Sequence, residues 1–267
     1  MKGKTIAITK SDSRIDIFAN KLQKHNAKLI PLKPTTVIQE DPTIILHIIK
    51  ELQRKKYDYC FFLSPVSVQV LLDMALQLKK KSQILSILND QSVKIVSIGD
   101  STKRVLSENN IKVDIIPKEF SSKGIIKYFS QNTNIASPKQ KIIIPRSKRA
   151  DGYLRTELKK FGYLVDEYFI YTVQTSAIDH IWEGFSILLQ SNKIDSLVFT
   201  SPSNVTSFLE IIDKIDPELK SSLYDIDIIV SIGPSTSRAL QRNNIRFTES
   251  SIHSLDGIYK TILEYFK

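Results

Sequence analysis

A chain of 267 residues, 42% hydrophobic and 25% charged, can bury a real core and has room for two modest domains or one large one. Its 38 basic and 28 acidic residues leave a formal charge of +10, which favours acidic partners, but the lysines are scattered and only "KKK" (79–81) and "RSKR" (146–149) cluster. A single cysteine, Cys60, excludes an internal disulfide, and no apolar run approaches membrane-spanning length, so a cytoplasmic protein without membrane attachment is expected.

Taken in chain order, short apolar runs alternate with amphipathic segments. Strands are expected near 4–9, 28–32, 57–63, 93–98 and 113–116, with helices near 13–25, 43–55, 66–79, 102–109 and 122–130. The pattern then repeats. Strands are expected near 141–145, 164–170, 195–200, 226–232 and 246–248, with helices near 151–161, 179–190, 204–213, 235–243 and 254–266. Runs such as "IAIT", "KIVSI" and "DIIVSI" are too continuously apolar for one-sided sheets and suit parallel strands covered on both faces. The fold class is α/β, with two similar doubly wound parallel-sheet domains.

The two halves are copies of one unit. "VSIGDSTKRVLSENNIKV" begins at residue 96, and "VSIGPSTSRALQRNNIRF" begins 134 positions later at residue 230, with eleven of eighteen positions identical. "FFLSP" ends at Pro65, and "VFTSP" ends 137 positions later at Pro202. That spacing is far longer than the 20–50 residues of solenoid repeats, so a whole domain has been duplicated. By itself the repeat suggests a contiguous cut near residue 138, in the polar stretch "NTNIASPKQ".

Ligands in doubly wound sheets bind beyond the carboxyl ends of the strands, and the repeated motifs fall there. Ser64 and Ser201 can cap the following helices, and Pro65 and Pro202 suit the first helical turn. Free N–H groups at such helix starts favour carboxylate or phosphate, although good capping chemistry alone would produce the same motif. In "SIGDST" and "SIGPST", glycine allows a sharp turn, and Thr102 and Thr236 bring hydroxyls to the helix start. No Walker loop, GxGxxG, GxSxG or metal-ligand spacing of the four histidines is present, so neither cofactor nor metal is expected. What remains is equipment for holding a polyanion.

The order "FxSPxxV…VSIGxxTxxxL…NNI", duplicated in one chain, resembles the uroporphyrinogen-III synthase family over essentially the full length. It is most specific at "FTSPSNV" (199–205), "SIGPSTSRAL" (231–240) and "YTVQT" (171–175). The resemblance implies an interleaved architecture: one domain from 1–33 with 175–267, another from 40–170, and a two-stranded linker at 34–39 and 171–174. It also implies the reaction, closure of the linear tetrapyrrole hydroxymethylbilane with inversion of ring D and loss of water, and a monomer with no nucleic-acid partner. Tyr171 matches the family's linker-adjacent tyrosine, a candidate proton donor to the departing hydroxyl. Ser64, Thr102, Ser201 and Thr236 match positions lining the family's cleft, and Arg146 falls where the family often has a basic or glycine-rich loop, here "RSKRADG". The alternative is a non-enzymatic two-domain protein that binds a polyanion.

Overall fold

The structure, a computed structural model, describes residues 1–10, 15–54, 57–131 and 140–267. The expected helix start at 13–14, the helix end at 55 and the cut near 138 lie outside the described residues. The first part of the chain forms β1 (Thr5–Ile8), α1 (Ile15–Gln23), β2 (Lys28–Pro31), β3 (Thr35–Gln39), α2 (Ile44–Gln53), β4 (Tyr59–Phe62), α3 (Pro65–Gln77), α4 (Lys81–Leu88), β5 (Lys94–Ser97), α5 (Asp100–Glu108) and α6 (Ser122–Gln131). The rest forms β6 (Lys141–Ser147), α7 (Tyr153–Lys160), β7 (Leu164–Thr175), α8 (His180–Gln190), β8 (Ser196–Phe199), α9 (Pro202–Ile215), α10 (Leu219–Ser222), β9 (Ile228–Ser231), α11 (Pro234–Arg242), β10 (Thr248–Glu249) and α12 (Leu255–Tyr265).

These elements make two compact units, Met1–Thr36 with Gln174–Lys267 and Val37–Val173. The first is built on the sheet β10-β9-β8-β1-β2, in which every adjacent pair is parallel. Strand alternation sorts its side chains. Ala7, Leu197, Phe199 and Ile229 face a core formed with Trp182, Phe185, Phe208 and Ile212 of α8 and α9. Ile6, Ile8, Val198 and Val230 face the opposite core, with Phe18 and Leu22 of α1 and Ile258 and Ile262 of α12. Each such fully buried side chain contributes about 1.5–3 kcal/mol, and burial on both faces explains why the strands read as continuous apolar runs.

The second unit is built on the sheet β3-β7-β6-β4-β5, with β7–β6, β6–β4 and β4–β5 parallel. Cys60, Phe62, Ile95 and Ile143 pack against α2, α3, α4 and α5. Phe61, Val96, Ile142 and Ile144 pack against α6 and α7. The order β9-β8-β1-β2 of the first sheet is reproduced by β5-β4-β6-β7 of the second, which is the duplication seen in three dimensions. Even the strand starts match. The Asp195 carboxylate accepts the Thr5 N–H at 2.7 Å, and the Asp58 carboxylate accepts the Lys141 N–H at 2.7 Å.

The repeated "NNI" proves to be a helix stop. Asn110 and Asn244 take positive φ (59° and 56°), after which the N–H groups of Ile111 and Ile245 reach back to the carbonyls of Leu106 and Leu240 at 2.9 and 3.1 Å. Three local expectations change. The expected strand at 113–116 makes only a single bridge, Val96 to Ile115, because the Asp114 carboxylate itself accepts the Ile95 N–H at 2.8 Å. Helix α4 was not expected; it buries only Ile84 and Leu88, too few positions to display a period. Strand β7 runs unbroken for 12 residues, so the strand expected at 164–170 and the linker strand expected at 171–174 are one element.

Candidate functional site

In each sheet two central neighbours send their connections in opposite directions. Chain order carries β8 to β9 on one side and β1 to β2 on the other, and likewise β4 to β5 and β6 to β7. The crevice beyond the carboxyl ends of such a pair is where doubly wound sheets take ligands.

In the second unit this position is occupied by Ser64, Arg146 and Tyr171. Ser64 ends the β4 segment in extended conformation and caps α3, accepting the Ser67 N–H at 3.0 Å. Its Oγ lies 3.1 Å from the Tyr171 hydroxyl. Either oxygen can be the donor of this bond, since a serine hydroxyl that accepts from Ser67 still has a second lone pair and its own proton. Tyr171 reaches Ser64 through an irregularity in strand pairing. Arg146 stands opposite Phe169 while the next residue, Ser147, stands opposite Tyr171, so one residue of β7 is skipped. The skip places Ile170 and Tyr171 in the same core, where strict alternation would put them on opposite faces of the sheet. The Lys148 N–H then donates to the Tyr171 carbonyl at 2.8 Å.

Tyr171 is 5% exposed. Burial raises its phenol pKa above the usual range, while the hydrogen bond with Ser64 and the charge of Arg146 pull it back. The group is therefore a protonated phenol at neutral pH. Arg146 is itself buried and forms an ion pair with Glu167. Thr102 lies in the first turn of α5, fully buried, and its hydroxyl has no hydrogen-bond partner among the described residues.

In the first unit the corresponding position holds Thr9, Thr200, Ser201 and Asn204. Ser201 caps α9 by accepting the Asn204 N–H at 3.2 Å. The Asn204 amide donates to the Thr9 carbonyl at 2.7 Å and to the Thr200 hydroxyl at 3.0 Å. The Thr200 hydroxyl donates to the same Thr9 carbonyl at 2.7 Å. Thr236 is buried in the first turn of α11, its N–H on the Gly233 carbonyl at 3.0 Å.

The structure thus joins Ser64 directly to Tyr171, while Arg146, on the neighbouring strand β6, is paired with Glu167. Thr102, Ser201 and Thr236 stand at other helix starts. Sequence reasoning did not single out Thr9, Thr200, Asn204 or Glu167. Thr9 was findable, because it lies 137 positions before Arg146 and so holds the equivalent strand end. Glu167 carries no such signal. Among the described residues no group of three or more His, Cys, Asp or Glu side chains is placed to hold a metal, and no helix is long and apolar enough to cross a membrane.

Comparison with known proteins agrees on one family. A family model described as uroporphyrinogen-III synthase HemD matches residues 17–260. A putative uroporphyrinogen-III synthase of Methanothermobacter thermautotrophicus is 27% identical over 218 residues, 79% of each chain. The uroporphyrinogen-III synthase of Synechococcus elongatus is 25% identical over 98% of this chain and 96% of its own. In fold, the chain resembles a mutant uroporphyrinogen III synthase from Thermus thermophilus (TM-score 0.64, 15% identity, 98% of both chains). It also resembles the Helicobacter pylori enzyme (TM-score 0.61, 16% identity, 98% of this chain and 99% of that one). With a family model covering most of its length, this chain belongs to the uroporphyrinogen-III synthase family.

Proposed function

We propose that the chain is a lyase that closes hydroxymethylbilane to uroporphyrinogen III, with Tyr171 as the proton donor. The observation that carries the role of Tyr171 is its buried phenol at the strand-end crevice, hydrogen-bonded to the helix-capping Ser64. The C–O bond of the substrate's hydroxymethyl group breaks, and the departing oxygen takes the phenol proton and leaves as water. The pyrrole nitrogen stabilises the azafulvenium cation that remains. Ring D then attacks through its substituted carbon to give a spiro intermediate, whose rearrangement inverts that ring. The proton lost when the last pyrrole regains aromaticity balances the one donated, so no electron or group carrier is needed.

Most of the barrier is met by orientation, which keeps ring D from closing through its unsubstituted carbon. Ser64, Thr102, Ser201 and Thr236 stand at helix starts, where N–H groups and hydroxyls suit the substrate's carboxylates, and the net charge of +10 draws a polycarboxylate in. Arg146 is already paired with Glu167, so less of its charge is left for a substrate carboxylate. A binding protein without chemistry is not favoured.

The test is direct. Purified protein is given fresh hydroxymethylbilane, and the oxidised uroporphyrins are separated against a protein-free control. Predominantly type III product is expected, with Y171F reducing kcat by about 100-fold or more. Type I product at the control rate from folded protein would overturn the reading.

A further inference from the structure

The two copies of the repeat share a feature that neither capping nor burial explains. Gly99 follows β5 and precedes α5, and Gly233 follows β9 and precedes α11. Their backbones are extended, with φ of 179° and 168°, so conformation does not require glycine at either position. Space does. A Cβ built on Gly99 would stand 2.8 Å from Cγ of Phe120, and one built on Gly233 would stand 3.0 Å from Cδ2 of His253. In each unit, then, an aromatic ring lies against a bare glycine just beyond the carboxyl end of a strand.

Phe120 and His253 come from equivalent loops, "EFSSKG" (119–124) and "IHSLDG" (252–257). Ser121 and Ser254 accept the N–H groups of Gly124 and Gly257, both at 3.1 Å. Their own N–H groups turn back to the carbonyls of Glu119 and Ile252 at 2.8 and 2.7 Å. The turn therefore needs its serine and its glycine, but it does not need the ring. Phe120 is 58% exposed and the His253 side chain 56%, so each covers its glycine with part of its surface and offers the rest to water. The flanking residues differ between the copies, Glu119 against Ile252 and Lys123 against Asp256, yet both keep a flat ring. Phenyl and imidazole differ in polarity and share a π face.

We infer that Phe120 and His253 are substrate-binding residues, each presenting a ring on which a pyrrole of the tetrapyrrole packs. The inference rests on the proposed reaction and names the groups that take the apolar part of the substrate. N–H groups and hydroxyls at helix starts suit carboxylates, whereas a pyrrole is best met by another aromatic ring, in offset or edge-to-face contact. The missing Cβ at 99 and 233 lets each ring lie low over the start of its helix. In the first unit Glu249 also stands 3.8 Å from Nε2 of His253, a further restraint on that ring.

The probe is uroporphyrinogen III, kept reduced under anaerobic conditions, with its uptake measured by ultrafiltration. F120A, F120L and H253A should each weaken binding about 3- to 10-fold, the range of an aromatic pair. H253F, which keeps a ring, should bind like the parent protein. G99A, whose added methyl displaces Phe120, should weaken binding as F120L does. In turnover the same weakened variants should raise KM several-fold with little change in kcat, as expected for contacts made equally in ground and transition states.

Unchanged affinity in folded F120L or H253A overturns the inference, the rings then being covers for their glycines alone. A parent protein that takes up no probe overturns it as well. Should F120A fail to fold, F120L and G99A carry the test for that ring. Product analysis decides the function separately. Type III product with ring-independent uptake leaves the synthase standing without the stacking rings, and ring-dependent uptake without type III product sinks the synthase and keeps them.

Discussion

Replacing Ser64 with alanine tests the link between the duplicated motif and the candidate site, and Ser201→Ala supplies an internal control. Both serines cap a helix through the same bond, to Ser67 N–H at 3.0 Å and to Asn204 N–H at 3.2 Å, so each loses about 1 kcal/mol of capping. Ser64 alone also partners a buried phenol. Its removal leaves the Tyr171 hydroxyl in the core without a partner, a further cost of about 1–3 kcal/mol. S64A should therefore destabilise by about 2–4 kcal/mol, against about 1 for S201A. Removing both partners is gentler than orphaning one, so S64A/Y171F should fall back towards the capping cost alone. Urea denaturation followed by circular dichroism is applied to the parent, S64A, Y171F, S64A/Y171F and S201A, and the double-mutant cycle isolates a coupling of about 1–2 kcal/mol. Equal losses in S64A and S201A, or an additive cycle, would refute the reasoning.

Two more expectations follow from packing and burial. A Cβ built on Gly124 or Gly257 would stand 1.9 Å from the backbone carbonyl oxygen of Glu119 or Ile252, an overlap no rotamer can relieve. G124A and G257A should each cost at least about 1–3 kcal/mol in denaturation experiments, whereas G184A, inside α8 and facing open space, should gain up to about 1 kcal/mol. The phenols of Tyr57, Tyr59 and Tyr171 and the Cys60 thiol are all raised, in each case chiefly by burial. Raised acids keep their full contribution below their unfolded pKa values, about 8.5 for the thiol and 10 for the phenols, and lose it as pH climbs beyond. Stability measured at successive pH values should hold to about pH 8 and then decline, with Y57F showing a shallower fall above about pH 10; a flat profile to pH 11 would contradict this.

Much of the fold was legible because the strands are buried on both faces and the helices are not. "IAIT" and "DIIVSI" could only be interior parallel strands, and the paired Ser-Pro and "NNI" segments marked where helices start and stop. Strand 113–116 misled because Asp114 looks like a residue beside a strand, yet its carboxylate replaces the strand's own hydrogen bond. Helix α4 escaped because two buried positions make no pattern. For the site, local signals located helix starts and nothing more. Singling out Tyr171 depended on family resemblance, since a tyrosine in an apolar strand has no distinguishing neighbour in sequence. The Arg146–Glu167 pair is 21 residues apart on adjacent strands, and only their register brings the two together.

The division of the chain imposes an order of assembly during synthesis. Strand β1 sits between β2 and β8, so it cannot complete its sheet until residues 196–199 have been made. The unit Val37–Val173 is contiguous and can close while the ribosome is still adding the remainder. Strand β1 must wait, with the apolar run Ile6–Ile8 unpaired on one edge, until β8 has been made. Newly made chains are thus most exposed to misassociation through β1, and a circular permutation that moved residues 1–36 to the end of the chain would remove that wait.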